Sequence, residues 1–255
     1  MTTPTTFFGW IGFLISKYYP LIWLGIRNTL ATSVTGTVVG FVIGLLVGVL
    51  RSIPVYPNDS KLKKISVRVL NFIMAAYIEI IRGTPMMVQA SLLYYGFLSR
   101  RMSALTAGFI VISINTGAYM AEIVRGGIMS IDRGQTEGAQ SVGMTHWQTM
   151  VNVILPQAIR NIMPAVGNEF VINIKDSSVL SVISVAELFF QGRGIAGTYL
   201  RYRETYIIIA AVYFILTFTT TRLLRIVERK MDGPKSYVMG KNDKAATKQR
   251  ARGSQ

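Results

Sequence analysis

Residues Leu30 to Leu50 read LATSVTGTVVGFVIGLLVGVL, and residues Met102 to Ala121 read MSALTAGFIVISINTGAYMA. Neither stretch holds a charged side chain. At about 1.5 Å of rise per helical residue, each is long enough to cross a hydrocarbon core of roughly 30 Å. Both read as transmembrane helices, and they decide the fold class: an all-α integral membrane protein. Composition agrees, since 51% of the 255 residues are apolar and only 15% are charged.

Working outward, a first span covers about Leu21 to Leu50. Its Gly36, Gly40, Gly44 and Gly48 recur every fourth residue and lay a groove of small residues along one face. Ahead of it, residues 1–20 carry Phe7, Phe8, Trp10, Phe13, Tyr18 and Tyr19, an interfacial lead-in rather than a cleavable leader. After it, Pro54, Pro57, Asn58 and Asp59 form a turn beside the basic Lys61, Lys63 and Lys64. The apolar region Ile65 to Leu98 is interrupted by Arg82-Gly83-Thr84-Pro85, which predicts one span broken near mid-depth, because proline removes a backbone donor.

A third span ends near Ala121, a fourth runs from about Pro156 into the 180s, and the last covers about Thr205 to Leu224. About five spans result, within a domain of residues 21–228. The basic tail, residues 229–255, includes Arg229, Lys230, Lys241, Lys244, Lys248, Arg250 and Arg252. With the Lys61 cluster it places the C-terminus inside the cell membrane and the N-terminus outside. The formal charge of +15 follows from this positive-inside bias and not from a nucleic-acid surface, since the basic residues cap apolar runs.

Ionisable groups within a span cost a few kcal/mol, so Arg82, Glu169, Lys175 and Asp176 should face a protein interior or a water-filled path. Counted from Arg160, Glu169 lies about 13 Å along the helix, near mid-depth, where transporters hold cargo. Glu169, Asn173 and Asp176 fall on one helix face. A break at Lys175-Asp176-Ser177 would let Asp176 or Ser177 cap a restarting helix, Val179 to Phe189, whose positive end could meet a carboxylate. Arg82 could instead pair with Glu79 or Glu169 simply to neutralise buried charge.

Between the third and fourth spans, a loop at about 131–152 carries Glu137-Gly138-Ala139, then Gly143, then Val153 and Leu155-Pro156. This resembles the EAA loop of membrane subunits of ATP-binding-cassette importers, with Gly138 in place of the first alanine and Val153 in place of isoleucine. Arg82 to Pro85, Ala118 to Gly127 (AYMAEIVRGG) and Lys175-Asp176-Ser177-Ser178 are similar to the polar amino-acid permease family of these importers, a likeness covering about Leu24 to Arg229. The resemblance implies a type I importer permease fold with a cytoplasmic coupling helix. Its Glu137, Gly138, Ala139 and Gly143 would engage ATPase subunits that carry ATP-Mg. The same likeness implies a second permease subunit, identical or closely related, an external solute-binding protein, and import of a polar amino acid. Arg82, Gly83, Thr84, Glu169, Asn173, Lys175, Asp176 and Ser177 are then the expected substrate-binding residues, acidic groups taking the ammonium and basic groups the carboxylate.

No Walker A motif occurs, so ATP must be hydrolysed by partners. Gly192-Arg193-Gly194-Ile195-Ala196-Gly197 matches a dinucleotide fingerprint but follows no strand, and reads as a flexible outer loop. His146 is the sole histidine and there is no cysteine, so neither a metal site nor a catalytic set is expected. The alternative is a secondary transporter working without ATP, which would carry inverted repeats within one chain.

Overall fold

A computed structural model describes residues 4–98 and 102–231, and these contain nine α-helices and no strand. Helix α1 (Phe7–Leu50) is started by Thr6, whose hydroxyl accepts from the Gly9 amide at 3.2 Å. The aromatic lead-in is not a separate element: it continues unbroken into the first span. Trp10 and Leu14 pack on Ile195 and Ile208, and Arg201 stacks over Trp10 at 4.6 Å. In an apolar span each hydroxyl needs an internal partner, and Thr32, Ser33 and Thr37 donate to the carbonyls of Asn28, Thr29 and Ser33.

Helix α4 (Ala104–Met129) lies parallel to α1 and forms with it the largest helix pair. Gly36, Gly40, Gly44 and Gly48 meet Ile112, Thr116, Met120 and Val124 in strict register. A methyl group at Gly44 would come within 2.6 Å of the Met120 carbonyl carbon and 2.7 Å of the Ala121 nitrogen, so the backbones touch there. The helix of the third span does not stop near Ala121. It runs on to Met129, because Glu122 is neutralised by arginines and because Gly127, lacking a side chain, admits Ile162.

Helix α2 (Lys61–Gly83) is followed by α3 (Met86–Leu93), with the chain extended at Thr84 and Pro85. The expected break is therefore present, and Gln89 repairs it. Its amide donates to the Ile81 carbonyl at 2.7 Å, the group left without a donor by Pro85, and to the Thr84 carbonyl at 2.9 Å. Two short helices, α5 (Arg133–Ser141) and α6 (His146–Thr149), precede a π-helical turn and α7 (Leu155–Asp176).

Beyond Asp176 the chain tightens into a 3₁₀ segment, Ser177–Ile183, closed by Ser184 at φ 65°. This corrects the expectation of a helix restarting at Val179. The next α-helix is α8 (Leu188–Tyr199), bent 56° from the preceding segment. Gly192 to Gly197 lie inside α8, with Gly192 packed on Ile209, so they are not a flexible loop. Helix α9 (Tyr202–Met231) ends the described chain and takes in Arg229 and Lys230; the rest of the basic tail lies outside the described residues.

Helices α1, α4 and α9 are each long and apolar enough to cross a membrane, and the segment His146–Ile183 passes the same test together with α8, from which it is bent by 56°. The expected remaining crossing is divided between α2 and α3.

Candidate functional site

The broken α2–α3 connection, α4 and α7 enclose a cavity of about 540 Å3. It is lined by Arg82, Gly83, Thr84, Pro85 and Met86 from the break, Asn115 and Tyr119 from α4, and Glu169, Ile172 and Asp176 from α7. Extended backbone at Thr84 and Pro85 opens the space that continuous helix would fill. Glu169 is 8% exposed. Among the described residues neither Glu169 nor Asp176 has a hydrogen-bond or ion-pair partner, so both carboxyl groups offer free acceptors to the cavity. Arg82 provides the opposite charge. Its guanidinium stacks over the Tyr119 ring at 5.2 Å and lies 3.9 Å from Glu122. It pairs with neither Glu79 nor Glu169.

The site thus unites Arg82, Gly83, Thr84, Glu169 and Asp176, and leaves out three of the residues expected beside them. Asn173 is rotated toward α1 and α4, accepting from Thr116 at 3.0 Å and donating to Thr37 at 2.9 Å. A step of four residues advances about 40° around a helix, enough to carry its amide from the cavity into the helix interface. Lys175, on the opposite side of α7, lines a separate cleft of about 270 Å3 with Arg222 and Arg225 of α9. Ser177 is buried and donates to the Ile174 carbonyl at 2.9 Å.

Nor does the start of α8 serve as an anion site. Helix α8 is capped by Glu187, which accepts from the amides of Phe189 at 2.8 Å and Phe190 at 2.6 Å and from Tyr213 at 2.8 Å. A carboxylate of the chain already fills that position. The residues missed from sequence are Asn115 and Tyr119, together with Glu122 beneath them. Their spacing of four and three residues places them on one face of an otherwise apolar span, a stripe that was open to detection.

At the other end of α4, helix α5 is capped by Asp132, which accepts from the Gly134 amide at 2.8 Å. Glu137 and Gly138 are exposed, whereas Ala139 is buried within the chain. The Met144 amide reaches back to the Ala139 carbonyl at 3.2 Å and the Gly143 amide to Gln140 at 2.9 Å, the Schellman pattern of helix termination. Gly143 has φ +87°, so it terminates the helix. Nearby, burial and then the Lys63 charge push the His146 imidazole below its ordinary value. Among the described residues no three His, Cys, Asp or Glu side chains gather as a metal site.

Residues 64–233 match the family described as the inner membrane component of a binding-protein-dependent transport system. The chain belongs to this family. Within it, the chain is similar to the probable amino-acid permease protein YxeN of Bacillus subtilis (strain 168), at 42% identity over 178 residues, covering 68% of this chain and 80% of that one. The glutamine transport system permease protein GlnP of Escherichia coli (strain K12) is 40% identical over 167 residues, covering 64% and 76%. A crystal structure of an amino acid ABC transporter with histidines superposes with a TM-score of 0.73 at 42% identity, covering 85% of this chain and 96% of the other. An inner membrane component of a binding-protein-dependent system does not work as a free-standing secondary transporter, and that alternative is set aside.

Proposed function

We propose that the chain is the permease subunit of an ATP-driven importer and that its cavity carries a polar, zwitterionic amino acid. One observation carries this reading: a single cavity sets the Arg82 guanidinium against the unpaired carboxyl groups of Glu169 and Asp176. A zwitterion matches that arrangement, its carboxylate at Arg82 and its ammonium at Glu169 or Asp176. Thr84 and Asn115 supply neutral hydrogen-bonding groups beside them. The names of the relatives, glutamine and amino-acid permeases, support the same cargo class.

The remaining parts follow from family membership. Two ATPase subunits binding ATP-Mg dock on the exposed Glu137 and Gly138 of α5, and Gly143 fixes where that helix stops. A second copy or a close paralogue completes the path. An external solute-binding protein delivers cargo at the face opposite α5, so the N-terminus lies outside and the C-terminus inside. The separate Lys175 cleft is not assigned to cargo.

The test is ATP hydrolysis and uptake by the reconstituted complex, scanned over the twenty amino acids. Removing Arg82, Glu169 or Asp176 one at a time as alanine should weaken the stimulating amino acid about 10- to 100-fold, the loss expected for one charge-assisted contact. Unchanged apparent affinity in all three variants would refute the cargo site while leaving family membership intact.

A further inference from the structure

The Glu122 carboxylate is surrounded by more positive charge than it can neutralise. Arg51, at the end of α1, approaches Oε1 at 3.1 Å. Arg125, one turn along α4, approaches Oε2 at 3.5 Å, and Arg82 approaches the same oxygen at 3.9 Å. Arg82 is therefore the most loosely held of the three, and it alone also lines the cavity. We propose that Glu122 is the resting counter-ion of Arg82 and that a cargo carboxylate displaces it, which makes Glu122 a positioning residue that sets cargo affinity by competition. This rests on the cavity being the cargo site.

The geometry supports an exchange rather than a simple addition. When Arg82 turns to the cargo, Arg51 and Arg125 still neutralise Glu122, so no carboxylate is stranded in the apolar span. The Tyr119 ring, 5.2 Å from the guanidinium carbon, gives Arg82 a second support that does not depend on Glu122. When the cargo leaves, Glu122 takes Arg82 back. A carboxylate about 4 Å away lowers the attraction of Arg82 for any other anion, which keeps cargo from binding too tightly to be released. The exchange also changes which helices are tied together: loading loosens the α2–α4 link while the Arg51 link between α1 and α4 persists.

The test is equilibrium binding to the reconstituted complex of the amino acid that stimulates it, compared with the same compound as its carboxamide. Glu122→Gln should tighten the amino acid about five- to tenfold, a modest share of the Coulomb effect at this separation. It should lower the maximal uptake rate, leave the carboxamide unchanged, and be reversed by Glu122→Asp. Arg51→Gln, which frees Glu122 to move toward Arg82, should weaken the amino acid and again spare the carboxamide, and it serves if Glu122→Gln does not assemble. Weaker amino-acid binding in Glu122→Gln, or equal shifts for both ligands, overturns the exchange. If the unaltered complex binds no amino acid, the cargo reading itself falls and the exchange falls with it.

Discussion

Asn173 separates two meanings that a polar residue within a membrane span can have, and replacing it with leucine distinguishes them. Leucine has the same branched arrangement of side-chain heavy atoms, so the substitution removes hydrogen bonds without opening a cavity. Two interhelical bonds disappear, from Thr116 at 3.0 Å and to Thr37 at 2.9 Å. Thr37 keeps its own bond to the Ser33 carbonyl at 2.8 Å, whereas the Thr116 hydroxyl loses the acceptor it now uses. Interhelical hydrogen bonds in membranes contribute about 0.6 kcal/mol each and at most about 1.7, so the pair amounts to roughly 1–3 kcal/mol. At about 2–4 °C per kcal/mol for a chain of this size, the melting temperature should fall by roughly 3–10 °C. Thermal unfolding of the purified complex in detergent, with cargo affinity measured well below the transition, gives both quantities. Affinity should stay within about twofold, since the amide does not reach the cavity. An unchanged melting temperature with a tenfold loss of affinity would refute the assignment and return Asn173 to the cargo site.

Gly44→Ala should destabilise the complex by about 1–3 kcal/mol, because the new methyl group meets the α4 backbone. Gly126→Ala, with nothing within 4 Å of the added group, should be neutral in the same melting assay. Gly143→Ala must hold a side chain at φ +87° and should cost about 1–2 kcal/mol. Because the strain falls at the end of α5, it should reduce cargo-stimulated ATP hydrolysis more than it reduces assembly with the ATPase, read by co-purification. The folded-state pKa of His146 is depressed, so its neutral form is favoured by the fold. Its stabilising contribution is therefore fully present above about pH 6.5 and is lost as pH falls through the lower folded value. Melting temperatures measured between pH 7.5 and 5.5 should fall further for the unaltered chain than for His146→Gln.

Hydropathy and glycine spacing made the spans and the close-packing face of α1 legible, although not that α4 would fill it. Arg82-Gly83-Thr84-Pro85 announced the break in the second crossing through the chemistry of proline. What periodicity could not resolve was direction. Glu169, Asn173 and Asp176 lie within one broad face, yet a rotation of about 40° sends Asn173 into a helix contact while Glu169 faces the cavity. Lys175 was grouped with the cavity because a charge within a span needs a polar surrounding, yet it lies about 100° around α7 from Asp176 and lines a different cleft. The helix of the third span continues about two turns past Ala121, where the charged Glu122 had suggested the span's boundary. The partners of Glu122 come from α1 and α2, and long-range neutralisation has no local signature. Gly143 was read as part of a docking surface, and its left-handed backbone adds that it is the stop of α5.

The in-register glycine contact between α1 and α4 also decides what can slide against what. With four successive glycines seated on α4 side chains, translating one helix along the other would require every notch to be vacated at once. The two helices therefore behave as a single plank. Only Ser130, Ile131 and Asp132 separate α4 from α5, so a thrust delivered to α5 enters the plank directly at one edge. Facing α4 across the cavity are the interrupted α2–α3 crossing and the C-terminal end of α7, and the backbone ladder is already open just beyond each. Any displacement of the plank would be taken up at those seams, which border the proposed cargo cavity.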